Sequence, residues 1–242
     1  MSTGLTPIRR HGGLGNVSRA LAALTVLFLA GIVVLVLVDR SSTTSNSQGG
    51  TGSGVAATQA RVLPPLTGVD LAGANNVVVR VGAPQSVIVH ADSNLLGRVT
   101  TQVRSGSLVI GNTPGTLNAR SPMFVAVSVP SLDALTVQGS GNISVTGISS
   151  PSLTVRLPGS GTIHAAGTTA RLNVAIGGSG TALLTRLIAR DATASIDGSG
   201  SIALTATHSL DASISGSGAI FYTGNPAHVT RSVTGSGAIN GE

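Results

Sequence analysis

A Gly-Ser-Gly tripeptide recurs six times along the second half of the chain: Gly139-Ser140-Gly141, Gly159-Ser160-Gly161, Gly178-Ser179-Gly180, Gly198-Ser199-Gly200, Gly216-Ser217-Gly218 and Gly235-Ser236-Gly237. Successive copies are 20, 19, 20, 18 and 19 residues apart. A period of that length marks a solenoid, because a unit so short cannot bury an apolar side alone and must stack on its neighbours. It leaves room in each unit for two strands of about five or six residues and two short connections.

The residues around the tripeptides repeat with them. Two places before each stand Val137, Leu157, Ile176, Ile196, Ile214 and Val233, an apolar column without exception. Two places after stand Ile143, Ile163, Ala182, Ile202, Ile220 and Ile239, and four places after stand Val145, Ala165, Leu184, Leu204 and Tyr222. Small or polar residues fill the places between. Alternation with period two on either side of a glycine corner reads as strand, tight turn, strand. The expected architecture is all-β: a right-handed parallel β-helix of about 19-residue coils, stacked about 4.8 Å apart. Glycine suits the corner through positive φ or close approach of the next coil. The serines are expected to align their hydroxyls in a ladder, so all eighteen tripeptide residues are structural. A phosphate cradle would need a following helix and usually a lysine; no helix is readable here, and the chain has no lysine.

The stretch 20–38, ALAALTVLFLAGIVVLVLV, carries no charge and as a helix would span about 28 Å, close to the hydrocarbon thickness of a bilayer. A cleaved secretory signal peptide is the alternative, although the run is longer than the 7–15 residues of a signal core. The reading is a short cytoplasmic segment over 1–18, a transmembrane helix over 19–40 contacting the lipid bilayer through Ala20 to Val38, a Ser/Thr/Gly-rich linker over 41–61, and the solenoid over 62–242. Arg9, Arg10 and Arg19 precede the apolar run, while Arg40 is offset by Asp39, so the positive-inside bias places the N-terminus in the cytoplasm and the C-terminal domain outside. Without cysteine, neither disulfides nor thiolate metal sites are available, and an exported domain must rest on packing.

Net charge is +6, but beyond Ser41 ten arginines meet six aspartates and one glutamate, spread evenly and with few aromatics. That pattern argues against nucleic acid as a partner. Four histidines, His90, His164, His208 and His228, fall at unlike places in the repeat and suggest no metal cage. Asp197 is expected to be a solvated turn residue bonded to nearby backbone, and Asp191 a surface partner of Arg190. An enzyme of the carbohydrate-active kind would need groups such as Asp191, Asp197, Asp211, Arg186 and Arg190 to gather on one face. By the alternation Tyr222 points inward, its hydroxyl reaching a backbone group, and Phe221 points outward as a candidate contact patch.

Residues 62–134 carry β-like runs at 77–81, 86–90, 98–103, 107–110 and 123–129, separated by turn signals and lacking the tripeptide. They read as irregular opening coils, with a small separate β-sandwich as the alternative. The runs SVIVHADSNLLGRVTTQVRSGSLVIG and VAVSVPSLDALTVQGSGNISVTG, with the ending ISGSGAIFYTGNPAHVTRSVTGSGAING, resemble the bacterial auto-transporter adhesin head GIN domain, DUF2807. The resemblance covers about Leu66 to Asn240 and is most specific around Ile220, Tyr222, Gly224 and Pro226. It implies a β-helical fold in an exported or membrane-anchored protein and supplies no catalytic residues, cofactor or metal. The expected function is therefore a non-catalytic, adhesin-like binding or scaffold module for an envelope polymer or protein, with a carbohydrate-active enzyme on a β-helix as the alternative. The C-terminal coil, with an uncovered strand edge, is expected to self-associate or take up a partner strand.

Overall fold

The structure, a computed structural model, describes residues 50–242, together with the backbone of Thr25–Leu29 and Ile32–Val36, which pair antiparallel. Apart from that pair, the expected cytoplasmic segment, membrane helix and linker as far as residue 49 lie outside the described residues. No helix among the described residues is long and apolar enough to cross a membrane. Residues 50–242 form one compact unit.

That unit is an all-β solenoid of about five turns. Its one helical feature among the described residues is a single 3-10 turn, Leu96–Arg98. Each regular coil contributes to two parallel ladders that meet at the Gly-Ser-Gly corner. On the wall after the corner, Ile143, Ile163, Ala182, Ile202, Ile220 and Ile239 are successive register partners. On the wall before it, Leu157, Ile176, Ile196, Ile214 and Val233 follow one another, and Val137 continues the column down to Leu71. The two columns face each other in one apolar core that runs through the whole stack.

The corner is built from backbone. Gly198 has φ +139°, and a Cβ on it would stand 2.7 Å from the Gly178 carbonyl oxygen. A Cβ on Gly200 would stand 2.5 Å from Cγ2 of Ile176 in the coil below. Both sites admit only hydrogen, the first for conformation and contact, the second for contact alone. The expected hydroxyl ladder is not what joins the coils. Instead the backbone N–H of Ser160, Ser199, Ser217 and Ser236 donates to a glycine carbonyl one coil down, at 2.9–3.1 Å. The serine side chains stay exposed and form no hydrogen bond within the chain. Stacking sets the repeat at this corner, while the far corner absorbs the 18-to-20 variation through register shifts after Val145, His164 and Leu184.

The opening half belongs to the same stack. Gly68–Leu71 and Asn76–Val81 pair in parallel with Ala134–Val137 and Asn142–Leu157, and their inward residues share the common core. The opening strands are therefore coils of the solenoid and not a separate sandwich. Two antiparallel elements close this end. Val99–Arg104 folds back on Ser107–Asn112, and Ser86–Asp92 runs between Phe124–Val129 and Ala56–Arg61. The last of these strands corrects the linker expectation, because residues 50–61 are ordered. Gly50–Thr51 pairs with Leu117–Asn118, and Ala56–Arg61 is an exposed edge strand held through its backbone. An edge strand with no buried face needs no aliphatic alternation, so composition alone reads it as tether.

Side chains fasten this end. Asp92, fully buried, accepts hydrogen bonds from the backbone N–H of Gly54 (2.7 Å), Arg120 (2.8 Å) and Ser121 (3.2 Å) and from the Ser121 hydroxyl (2.9 Å). Burial pushes its carboxyl up, but these four donors more than offset it and hold the group below the ordinary carboxylate range. Gln85 bridges the backbone of Leu63, Pro64 and Leu66 in the same manner.

Candidate binding site

On the wall before the tripeptide corner, the outward residues between inward leucines and alanines form two polar columns. Ser152, Arg171, Asp191, Ser209 and His228 are successive register partners, and so are Thr154, Asn173, Thr193, Asp211 and Thr230. Together they line an open trough of about 400 Å³. Strand alternation places the two columns two residues apart on one face, so each coil presents a pair of hydrogen-bonding side chains every strand spacing. The trough offers hydroxyls, an amide, a guanidinium, an imidazole and two carboxylates, and no phenylalanine, tyrosine or tryptophan lines it.

Its most ordered part is a cluster around Asp191. Oδ1 accepts from the Ser209 hydroxyl at 2.6 Å and lies 2.7 Å from His208 Nδ1, while Oδ2 is 3.9 Å from Arg190 Nε. The bonds from Ser209 and His208, with lesser attraction from the charges of His208 and Arg190, hold the Asp191 carboxyl below the usual range. The His208 ring meets His228 edge to face, with centroids 5.9 Å apart. Serine, histidine and aspartate thus come together, but not as a nucleophile set. The serine hydroxyl is bonded to the carboxylate, and the imidazole touches that carboxylate, not the serine.

Of the residues an enzyme would need on one face, Asp191 and Asp211 line the trough. Arg190 reaches it through the exposed contact to Asp191, while Arg186 lies on the far side of the turn, in register with Ala166. Asp197 is in register with Ser215 beside the corner and bonds to no backbone group, contrary to expectation. A carboxyl poised as an acid would be pushed upward, and Asp191 is pushed downward. Asp70 does move upward, through burial partly offset by a 2.6 Å hydrogen bond from Gln138. Its register neighbours are Val109 and Thr136, so no second carboxylate stands beside it on the ladder. Among the described residues, no group of three or more His, Asp or Glu is gathered as for a metal ion.

The opposite wall carries a smaller apolar feature. Phe221 is 48% exposed, and its outward column continues through Ala203 to Leu183, which is also exposed. Tyr222 is inward, 7% exposed, but its hydroxyl partner is the Arg231 guanidinium and not a backbone group. His90 stacks flat on Phe124 at 4.1 Å, away from both features.

No match is found among curated proteins. Among solved structures the chain is similar to one described as a "putative adhesin" from Bacteroides fragilis, with TM-score 0.67 and 20% identity over 80% of this chain and 100% of that chain. A second, described as a "putative adhesin" from Parabacteroides distasonis, gives TM-score 0.53 and 19% identity over 80% and 100%. A third, a "putative lipid binding protein" from Parabacteroides distasonis, gives 0.50 and 24% over 80% and 99%. At these identities the likeness speaks for the solenoid fold. A family model matches residues 65–226, well over half of the sequence, and the chain belongs to the family described as "Putative auto-transporter adhesin, head GIN domain", DUF2807.

Proposed function

We propose that this protein is a membrane-anchored, non-catalytic binding module of adhesin type, which meets an extracytoplasmic polymer or protein with the polar trough on one wall of its solenoid. The observation that carries this reading is the pair of in-register outward columns from Ser152 to His228 and from Thr154 to Thr230. They repeat a hydrogen-bonding pair on successive coils, with the Asp191 carboxyl held below the ordinary range and the Ser209 hydroxyl donated to it. Contacts of that kind are weak one by one and accumulate along an extended ligand. Family membership and the adhesin names of the structural neighbours agree with it. The apolar run 20–38 supplies the anchor, with Arg9, Arg10 and Arg19 on the cytoplasmic side. Phe221, with Ala203 and Leu183, adds a minor apolar contact on the other wall.

The convergence of Asp191 and Asp211 favours one second reading, a carbohydrate-active enzyme. Both readings are tested on the full chain in detergent, applied to immobilised neutral polysaccharides, anionic polysaccharides, peptidoglycan and phospholipid vesicles. Binding to one of these that falls at least tenfold in the double variant Asn173→Ala/Asp211→Ala is the expected outcome. Retention undiminished in that variant counts against the trough. Release of reducing sugar that disappears in Asp191→Asn would establish the enzyme instead.

A further inference from the structure

Arg231, though exposed, stands at a register position that faces inward in the coils beneath it. In the strands beneath it, the same place in the register is filled by Leu135, Val155, Val174, Ala194 and Ala212, all buried. A guanidinium in that column would lose its water if another coil covered it, at a cost that only a close counter-charge offsets. In the last coil it crosses the end of the core to the facing wall. There it donates a hydrogen bond to the Tyr222 hydroxyl, with the guanidinium carbon 5.2 Å from the ring centroid. Tyr222 is the largest member of its own inward column, and in the coil above it the register partner is Gly241, where a Cβ would collide with the ring.

The surface around this pair has the form of a strand-accepting edge. His228–Gly235 and Ala238–Gly241 are each paired on one side, with no strand on the other among the described residues. Val229 and Val233 are 37% and 44% exposed, whereas Leu210 and Ile214 directly below are buried. Unpaired backbone with half-covered valines is a template for another chain, and an inward-pointing charge is one of the devices that blunt such an edge.

We propose that Arg231, laid over Tyr222, is a gatekeeper that closes this end of the stack to a second copy of the chain. Two copies meeting end to end would bring two Arg231 guanidinia together as the apolar edges close. A head-to-tail meeting would bring Arg231 toward the opposite end, whose edge strands Ala56–Arg61 and Val99–Arg104 carry Arg61 and Arg104. Both arrangements bring cation toward cation as the edges close. The expectation of self-association considered the open edge; the arginine at its centre reverses that expectation.

The test is sedimentation equilibrium of the full chain in detergent, as wild type, Arg231→Val and Arg231→Lys, with far-ultraviolet circular dichroism to verify the β-sheet. Arg231→Val, which restores the residue type of Val155 and Val174, is expected to self-associate at least tenfold more tightly than wild type, and Arg231→Lys to behave as wild type. Equal association constants for wild type and Arg231→Val would overturn the proposal, as would a wild-type dimer that Arg231→Val does not strengthen. Should Arg231→Val lose its β-sheet spectrum, Arg231→Glu mixed with wild type reads the same question. Complementary charges then face each other, so mixed dimers are expected in excess of either self-dimer, and their absence refutes the gatekeeper.

Discussion

The two ends of the stack are closed in opposite ways. At the opening end the strands Ala56–Arg61, Ser86–Asp92 and Val99–Arg104 pair antiparallel, and polar side chains tie the segments down, buried Asp92 with four hydrogen bonds and half-buried Gln85 with three. At the far end there is no antiparallel strand among the described residues, and one arginine over one tyrosine covers the core. Between them the regular coils need no such devices, because corner amides such as those of Ser160, Ser199, Ser217 and Ser236 find their acceptors one coil down. A repeating ladder satisfies its own backbone by stacking, so specific side-chain chemistry is required only where stacking stops.

The largest expected effect breaks the ladder in its middle. Gly198→Val puts a β-branched residue at φ +139°, against the Gly178 carbonyl, and strain plus overpacking should cost about 2–5 kcal/mol. Gly237→Val meets Ile214 Cγ2 at 2.6 Å, but its φ is not in the left-handed region and no coil lies above among the described residues, so about 1 kcal/mol is expected. Chemical denaturation of both variants checks the contrast, and equal losses would contradict a stack that is most constrained at its centre.

A second effect is confined to the opening end. The folded Asp92 carboxyl lies below its unfolded value of about 3.9, so its contribution is complete above that pH and is lost as pH falls through the folded value. Hydrogen exchange is expected to show residues 50–55 and 116–121 losing protection on acidification before residues 142–216 do. Asp92→Asn should expose the same segments at neutral pH and abolish that acid-dependent step. Simultaneous loss along the whole chain would mean that the latch and the ladder unfold as one unit.

Much of this division could be read from the sequence, and the omissions have physical reasons. The inward columns around the tripeptides, the burial of Tyr222 and the exposure of Phe221 all follow from period-two alternation. The same alternation continued to four places before each tripeptide reaches Arg231, and to five and seven places before reaches both walls of the trough. Those residues were legible, but a polar outward column looks like ordinary surface until adjacent coils are known to form a concavity. Asp92 was not legible at all. Its partners Gly54, Arg120 and Ser121 are 38, 28 and 29 residues away and lie in segments without periodicity. The edge strand Ala56–Arg61 was missed because an exposed strand paired on one side carries no hydrophobic signature.

The smallest expected effect sharpens the account of the corner. If the serines held the coils together through a hydroxyl ladder, Ser199→Ala would leave unpaired partners above and below and cost on the order of 1 kcal/mol. In the structure the Ser199 hydroxyl is exposed and bonded to nothing in the chain, while its backbone N–H donates to the Gly178 carbonyl at 3.1 Å. Alanine keeps that N–H and adds no bulk. Ser199→Ala, and the same change at Ser217, should therefore fall within about 0.5 kcal/mol of wild type in chemical denaturation. A proline at 199 removes the N–H itself and should be far worse. The ordering proline well below alanine, with alanine equal to serine, assigns the corner to the backbone, whereas a marked loss with alanine would return it to the side chains.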